Sequence, residues 1–171
     1  HVAGTVGAVG NNGIGTVGVN WNVSMMALKV GTDFGGPTNA GAIAAINYAV
    51  AMGAVVSNHS YTVNPTIALE NAIINARNND HIVVIAAGNS ASNNDGNPTF
   101  PASYTEDNIV TVAATDQNDR LASFSNYGRV SVDIGAPGVN IWSTTPTAGS
   151  LFYGPNYDYS DGTSMAAPAV T

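Results

Sequence analysis

The chain has 171 residues, one domain's worth and enough to bury a core. Eleven acidic against four basic side chains leave a net charge of -7, without the basic footprint that nucleic acid requires, and no uncharged apolar run reaches the ~18 residues of a membrane span. With no Cys there is no disulfide or thiolate metal site, and 19 Gly with only 9% charged residues suit a compact, loop-rich α/β protein.

In chain order, residues 1–9 are small and apolar and read as the tail of a helix. Residues 10–18 read as a turn-rich loop, in which Gly13, Gly15 and Gly18 fit G-x-G-x-x-G. That pattern indicates a dinucleotide only between a strand and a helix. Here residues 22–30 follow and read as a strand, which disfavours a nucleotide. After a loop, Thr38 to Met52 read as a helix, with Gly53 closing it. Residues 54–57 read as a short buried strand and 58–64 as a loop. Asn64 as cap and Pro65 in the first turn open a helix to about Asn78. Residues 81–87 form a continuous apolar run, the pattern of a parallel strand covered on both faces. Residues 109–114 and 130–134 read as further strands. The alternation predicts an α/β fold with a mostly parallel sheet and a site on the loops at the strand C-terminal ends. No repeat or linker divides residues 1–171.

Two places carry chemistry. Asp161-Gly162-Thr163-Ser164-Met165-Ala166-Ala167-Pro168 puts one hydroxyl among small residues at a helix start, where free N–H groups and the positive dipole end can hold an oxygen anion. A plainly capped helix fits the same residues. Ala86-Ala87-Gly88-Asn89 ends the central strand. Asn89 offers a side-chain amide at the strand's mouth, either in an Asx turn or as a donor to a ligand.

Gly-Thr-Ser-Met-Ala-Ala-Pro resembles the nucleophile motif of the subtilisin-like serine proteases, and Ala-Ala-Gly-Asn their oxyanion segment. Ala122-Ser123-Phe124-Ser125-Asn126-Tyr127-Gly128 and Ala136-Pro137-Gly138-Val139 are similar to two further family segments, in family order. The resemblance implies a subtilisin-like three-layer α/β/α fold and a serine endopeptidase. Ser164 would form the acyl-enzyme and Asn89 would hold the oxyanion. Ser60 matches the Ser of a Ser-Leu-Gly stretch that borders the substrate, while Tyr61 and Thr62 depart from its Leu and Gly. Ser60, Tyr61, Thr62, Ala86, Ala87 and Gly88 are the implied substrate-binding residues. Loss of that Gly puts the pocket's shape in doubt.

The family's base is the first His of His-Gly-Thr-His-Val-Ala-Gly, and His1 matches the second. The resemblance therefore implies a partial catalytic domain over 1–171, incomplete at both ends, with the catalytic Asp and His upstream. Such a piece is expected to be inactive alone. His59 and His81 read as structural, as do Asp33, Asp80 and Asp133. Asn12 matches a family calcium loop that here lacks a carboxylate, so a structural calcium and a plain turn both remain open. No cofactor is expected for the chemistry. The implied partners are protein or peptide substrates, for a secreted monomer without nucleic acid or membrane. A non-catalytic domain that keeps the fold as a binding or scaffold unit is the competing reading.

Overall fold

The computed structural model describes residues 1–32, 35–148 and 154–171. Asp33 lies outside the described residues.

The central sheet has four parallel strands: β1 (Val56–His59), β2 (Ile82–Ala86), β3 (Ile109–Thr115) and β4 (Ile134–Pro137), in the order β1-β2-β3-β4. β2 explains the layering. Its alternate residues Val83 and Ile85 point into one core, with Ala42 and Ile46 of α2 (Asn39–Ala51) and Leu69 and Ile73 of α3 (Ile67–Arg77). Val84 and Ala86 point into the other, with Val112 and Ala114 of β3 and Ala166 of α4 (Thr163–Ala166). Period-two alternation feeding two cores makes three layers, helix, sheet and helix. Burying a side chain such as Leu69 or Ile73, each 0% exposed, contributes about 1.5–3 kcal/mol. A short helix α1 (Val2–Gly7) opens the chain, and an antiparallel pair, β5 (Ile141–Thr144) and β6 (Tyr157–Ser160), leads into α4. A 3₁₀ turn, Ala167–Ala169, follows it. No helix among the described residues is long and apolar enough to cross a membrane.

The helix expected near the start is α1, and α2 lies within the expected limits, with Thr38 Oγ1 accepting the Gly41 N–H. Gly53, at φ +76, takes the left-handed turn that ends it. Elsewhere tertiary bonds move the boundaries. The cap of α3 is Thr66 and not Asn64. The Tyr104 hydroxyl accepts the Thr66 N–H and donates to the Thr66 carbonyl, which holds Thr66 extended just outside the helix. β1 begins two residues later than expected because its ladder starts at Val56, opposite Ile82. Residues 22–30 are not a strand: no ladder partner lies beside them among the described residues, and a strand exists only when paired. Residues 130–133 are not a strand either, and β4 starts at Ile134. The N–H groups of Arg129, Val130 and Ser131 instead donate to the Asp95 carboxylate, at 2.7, 3.2 and 2.9 Å, and the Ser131 hydroxyl joins them at 2.7 Å.

Candidate active site

β1 and β2 end at the same side of the sheet, and α4 starts there. Gly162 precedes α4 at φ +149, and a Cβ on it would lie 3.4 Å from Asn89 Nδ2. Glycine therefore lets the backbone pass close to Asn89. Ser164 is half-buried, and its Oγ makes no hydrogen bond among the described residues. Its carbonyl accepts the Ser60 hydroxyl at 3.0 Å.

Thr163 sets the orientation of Asn89. Its N–H and its hydroxyl both donate to Asn89 Oδ1, each at 2.9 Å. An oxygen facing two donors fixes which end of the amide is which. Asn89 Nδ2, with two hydrogens, is left turned to the side of Gly162 and the α4 entrance. Neither this group nor the Ser164 N–H has a partner among the described residues, so two donors and one hydroxyl meet at one helix start. The Thr163 hydroxyl also accepts the Gly88 N–H at 3.1 Å, which ties the helix start to the end of β2. Thr163 belongs to the Gly-Thr-Ser motif, yet its local chemistry reads only as that of an ordinary helix-start residue.

The expected substrate residues divide. Ser60 lies on the α4 side, held by Asn58 Nδ2 at 2.9 Å. Ala86 and Ala87 are buried, at 5% and 0% exposure, at the end of β2. Their neighbouring backbone is spent: Ala87 N–H donates to Val112, and the Ala87 and Gly88 carbonyls accept from Asn126. At the end of β2 this segment offers bulk and not hydrogen bonds. Thr62 is exposed. The Tyr61 side chain goes the other way, packing on the α2–α3 core with its hydroxyl 2.6 Å from His59 Nδ1.

No hydrogen bond among the described residues joins a histidine to Ser164. His1 Nε2 lies 3.0 and 3.1 Å from the carbonyls of Ile141 and Asp158. His59 Nε2 and His81 Nε2 both meet the Ser57 hydroxyl, at 2.7 and 2.8 Å, and His81 Nδ1 meets the Ala54 carbonyl at 2.6 Å. With both rings neutral the donors run one way: Tyr61 to His59, His59 to Ser57, Ser57 to His81, His81 to the backbone. Burial, reinforced by the nearby His81, pushes His59 down to about 4, and burial raises the Tyr61 hydroxyl. Asp133 accepts the Thr111 N–H at 2.7 Å, and Asp80 sits in an exposed turn.

Asn12 lies in the exposed loop that follows α1. Its Oδ1 accepts the Ile14 N–H at 3.0 Å, closing an Asx turn. No group of three or more His, Asp or Glu side chains suited to a metal lies among the described residues. Among the described residues the G-x-G-x-x-G loop has α1 before it and no helix after it until Asn39, so it lacks the strand-then-helix setting of a dinucleotide loop.

The family model described as "Subtilase family" matches residues 1–171. A thermophilic serine proteinase of Bacillus sp. (strain AK1) is 44% identical over 172 residues, covering 99% of this chain and 39% of that protein. Subtilisin Savinase of Lederbergia lenta is 40% identical over 171 residues, covering 99% of this chain and 58% of that protein. A solved protease structure from Pseudoalteromonas arctica PAMC 21717 superposes with a TM-score of 0.85 at 35% identity, covering 99% of this chain and 55% of the other. The chain thus spans well under two thirds of each of these relatives.

Proposed function

The chain belongs to the subtilase family, and from that premise we propose that it is part of the catalytic domain of a serine endopeptidase. The observation that carries the reading is that two donors without partners among the described residues, the Ser164 N–H and Asn89 Nδ2, lie on the same side of Gly162 at the helix start that carries Ser164, the amide oriented by Thr163. In this reading Ser164 Oγ adds to a peptide carbonyl carbon while its proton passes to a base. The negative oxygen settles on the two donors. The C–N bond then breaks, and the base returns the proton to the leaving amine. Water repeats the sequence on the ester, releasing the acid and restoring the hydroxyl.

All three histidines are bonded elsewhere, so the base and the carboxylate that orients it are assigned to residues outside these 171. The family's order of Asp, then His, then Ser agrees with this. The 171-residue chain alone is then inactive, because a serine without a base keeps an alcohol's high pKa. Removing the histidine from a subtilisin costs about 2 × 10⁶ in kcat. Substrates are proteins or peptides, with the backbone of residues 60–62 beside them. Apolar or aromatic side chains are preferred, since Ser60 to Thr62 and Ala86 to Gly88 carry no charge to match Lys or Arg. Secretion follows from the same family reading.

The test assays casein hydrolysis and labelling by a serine-directed phosphonate, in the whole parent protein and in this chain, each with a Ser164→Ala control. Hydrolysis and labelling in the parent, lost in the control and absent from the chain alone, is the expected result. A folded parent that neither hydrolyses nor labels returns the scaffold reading. Ser164-dependent hydrolysis by the chain alone would place a base within these residues.

A further inference from the structure

The segment from Ala122 to Gly128 resembles the family without a role in the chemistry above. It carries Asn126, which is 1% exposed. Asn126 Oδ1 accepts the N–H groups of Ser90 and Ser92, at 2.8 and 3.2 Å. Nδ2 donates toward the Ala87 carbonyl at 3.2 Å, Asn94 Oδ1 at 3.0 Å and Thr99 Oγ1 at 3.2 Å. Its backbone N–H donates to the Gly88 carbonyl at 2.8 Å. Both lone-pair sites and both amide hydrogens are thus in use, and the orientation of the amide is fixed.

These bonds bracket one residue. Ala87 and Gly88 precede Asn89, and Ser90 and Ser92 follow it. Asn126 touches the chain on both sides of Asn89 and leaves the Asn89 side chain to Thr163. The fit is close: Gly88 has φ +111, and a Cβ there would lie 2.5 Å from Asn126 Nδ2. Backbone bonds run along the same seam, from Ala91 N–H to Phe124, Tyr127 N–H to Ser92 and Asn94 N–H to Tyr127.

We infer that Asn126 is a positioning residue for Asn89: it fixes the backbone that carries the oxyanion donor, as Thr163 fixes the rotation of its amide. The inference rests on the proposed role of Asn89. An oxyanion donor works only when held close to its productive position before the charge develops. A turn crossing from β2 to an exposed loop would otherwise drift, because loops are the mobile parts of a fold. Asn126, itself 1% exposed, closes that turn with hydrogen bonds to main-chain groups, the one to Ala87 buried and those to Ser90 and Ser92 partly so.

A double-mutant cycle in the whole parent protein tests this, using Asn89→Ala, Asn126→Ala and the pair, at temperatures where circular dichroism shows each folded. Asn126→Ala is expected to lower kcat about tenfold with KM within roughly twofold, and the pair to be no slower than Asn89→Ala alone. A merely structural residue would give multiplying losses in the pair, or an unchanged kcat, and either result overturns the inference. Should Asn126→Ala fail to fold, Asn94→Ala removes one acceptor from Nδ2 and keeps both Oδ1 bonds. Its severalfold loss in kcat is expected to vanish in the Asn89→Ala background, and persistence of that loss is the refuting outcome. If Asn89→Ala itself leaves kcat intact, the oxyanion reading fails, which is a separate result from an additive cycle.

Discussion

β1 has two faces, and they use polar residues in opposite ways. Toward α4 it presents Asn58, and the chain just past its end presents Ser60. These bond to each other, to the Ser164 carbonyl and to the Thr171 hydroxyl, in a half-open layer. Toward α2 and α3 it presents Ser57 and His59, followed by Tyr61, and these close on one another and on His81 within the core. The residues alternate along five consecutive positions, three in β1 and two just past it, yet the groups on one side adjoin the candidate nucleophile and those on the other do not. The titration of His59 is far from ordinary, and it lies on the face away from Ser164. A perturbed pKa is therefore no guide to the reactive face here. It reports burial, and it must be weighed with which way the strand turns the side chain.

Three experiments break or sharpen that contrast. The largest effect belongs to the cleft face. Asn89→Ala in the whole parent protein should lower kcat by about 10²–10³ with KM little changed, the scale known for removing an oxyanion donor from a subtilisin. A raised KM at constant kcat would show that Asn89 binds substrate uniformly and does not serve the transition state.

The helix face gives the second effect, in stability. His59 is held near 4 in the folded chain, below the ~6.5 of an unfolded histidine, so the unfolded state binds more protons between those values. Stability is full above about pH 6.5, falls as the pH drops toward 4 and levels below it, for a total of about 3 kcal/mol from this group. Urea midpoints from pH 7.5 to 4 should show this slope, and His59→Met should flatten it. An equal slope in the variant would assign the acid sensitivity to carboxylates.

The smallest pair of effects compares the faces directly. Tyr61→Phe removes the donor to His59 and should cost about 1 kcal/mol of stability with kcat unchanged in the parent protein. Ser60→Ala removes the bond to the Ser164 carbonyl at similar cost in stability, and should also alter kcat/KM severalfold. Matching kinetics in the two variants would erase the distinction between the faces.

What the sequence made legible follows the range of the interactions. β2 is readable because an apolar run bounded by Gly88 reports burial on both faces without knowledge of its neighbours. α2 is readable from spacing and from Gly53. Residues 22–30 mislead because extended, apolar character is local, whereas a ladder needs a partner. Residues 130–133 mislead because Asp95, far away in sequence, captures the N–H groups a strand would need. At the site, Ser164 and Asn89 stand out by resemblance. Thr163 and Asn126 lie in segments that resemble the family and Asn94 does not, yet the work of all three stays hidden in the sequence, since each acts by closing a bond across the fold. β5 and β6 could have been found from the period-two aromatics Tyr157 and Tyr159, which lie against Trp142.

The Asp95 clasp sets an order of events on acidification. The bond from the Ser131 hydroxyl, together with the backbone N–H groups of Arg129, Ser131 and Val130, holds its carboxyl below the ordinary carboxylate range. Its contribution is present above the unfolded value of about 3.8 and is lost only as the pH falls through the lower folded value. The His59 cluster is already failing well above that point. Acid therefore loosens the α2–α3 side of β1 first, while the turn of residues 93–97, which places Asn94 against Asn126, stays fastened to residues 129–131. On acidification the His59 cluster thus gives up its contribution before the clasp that adjoins the Asn89 framework does.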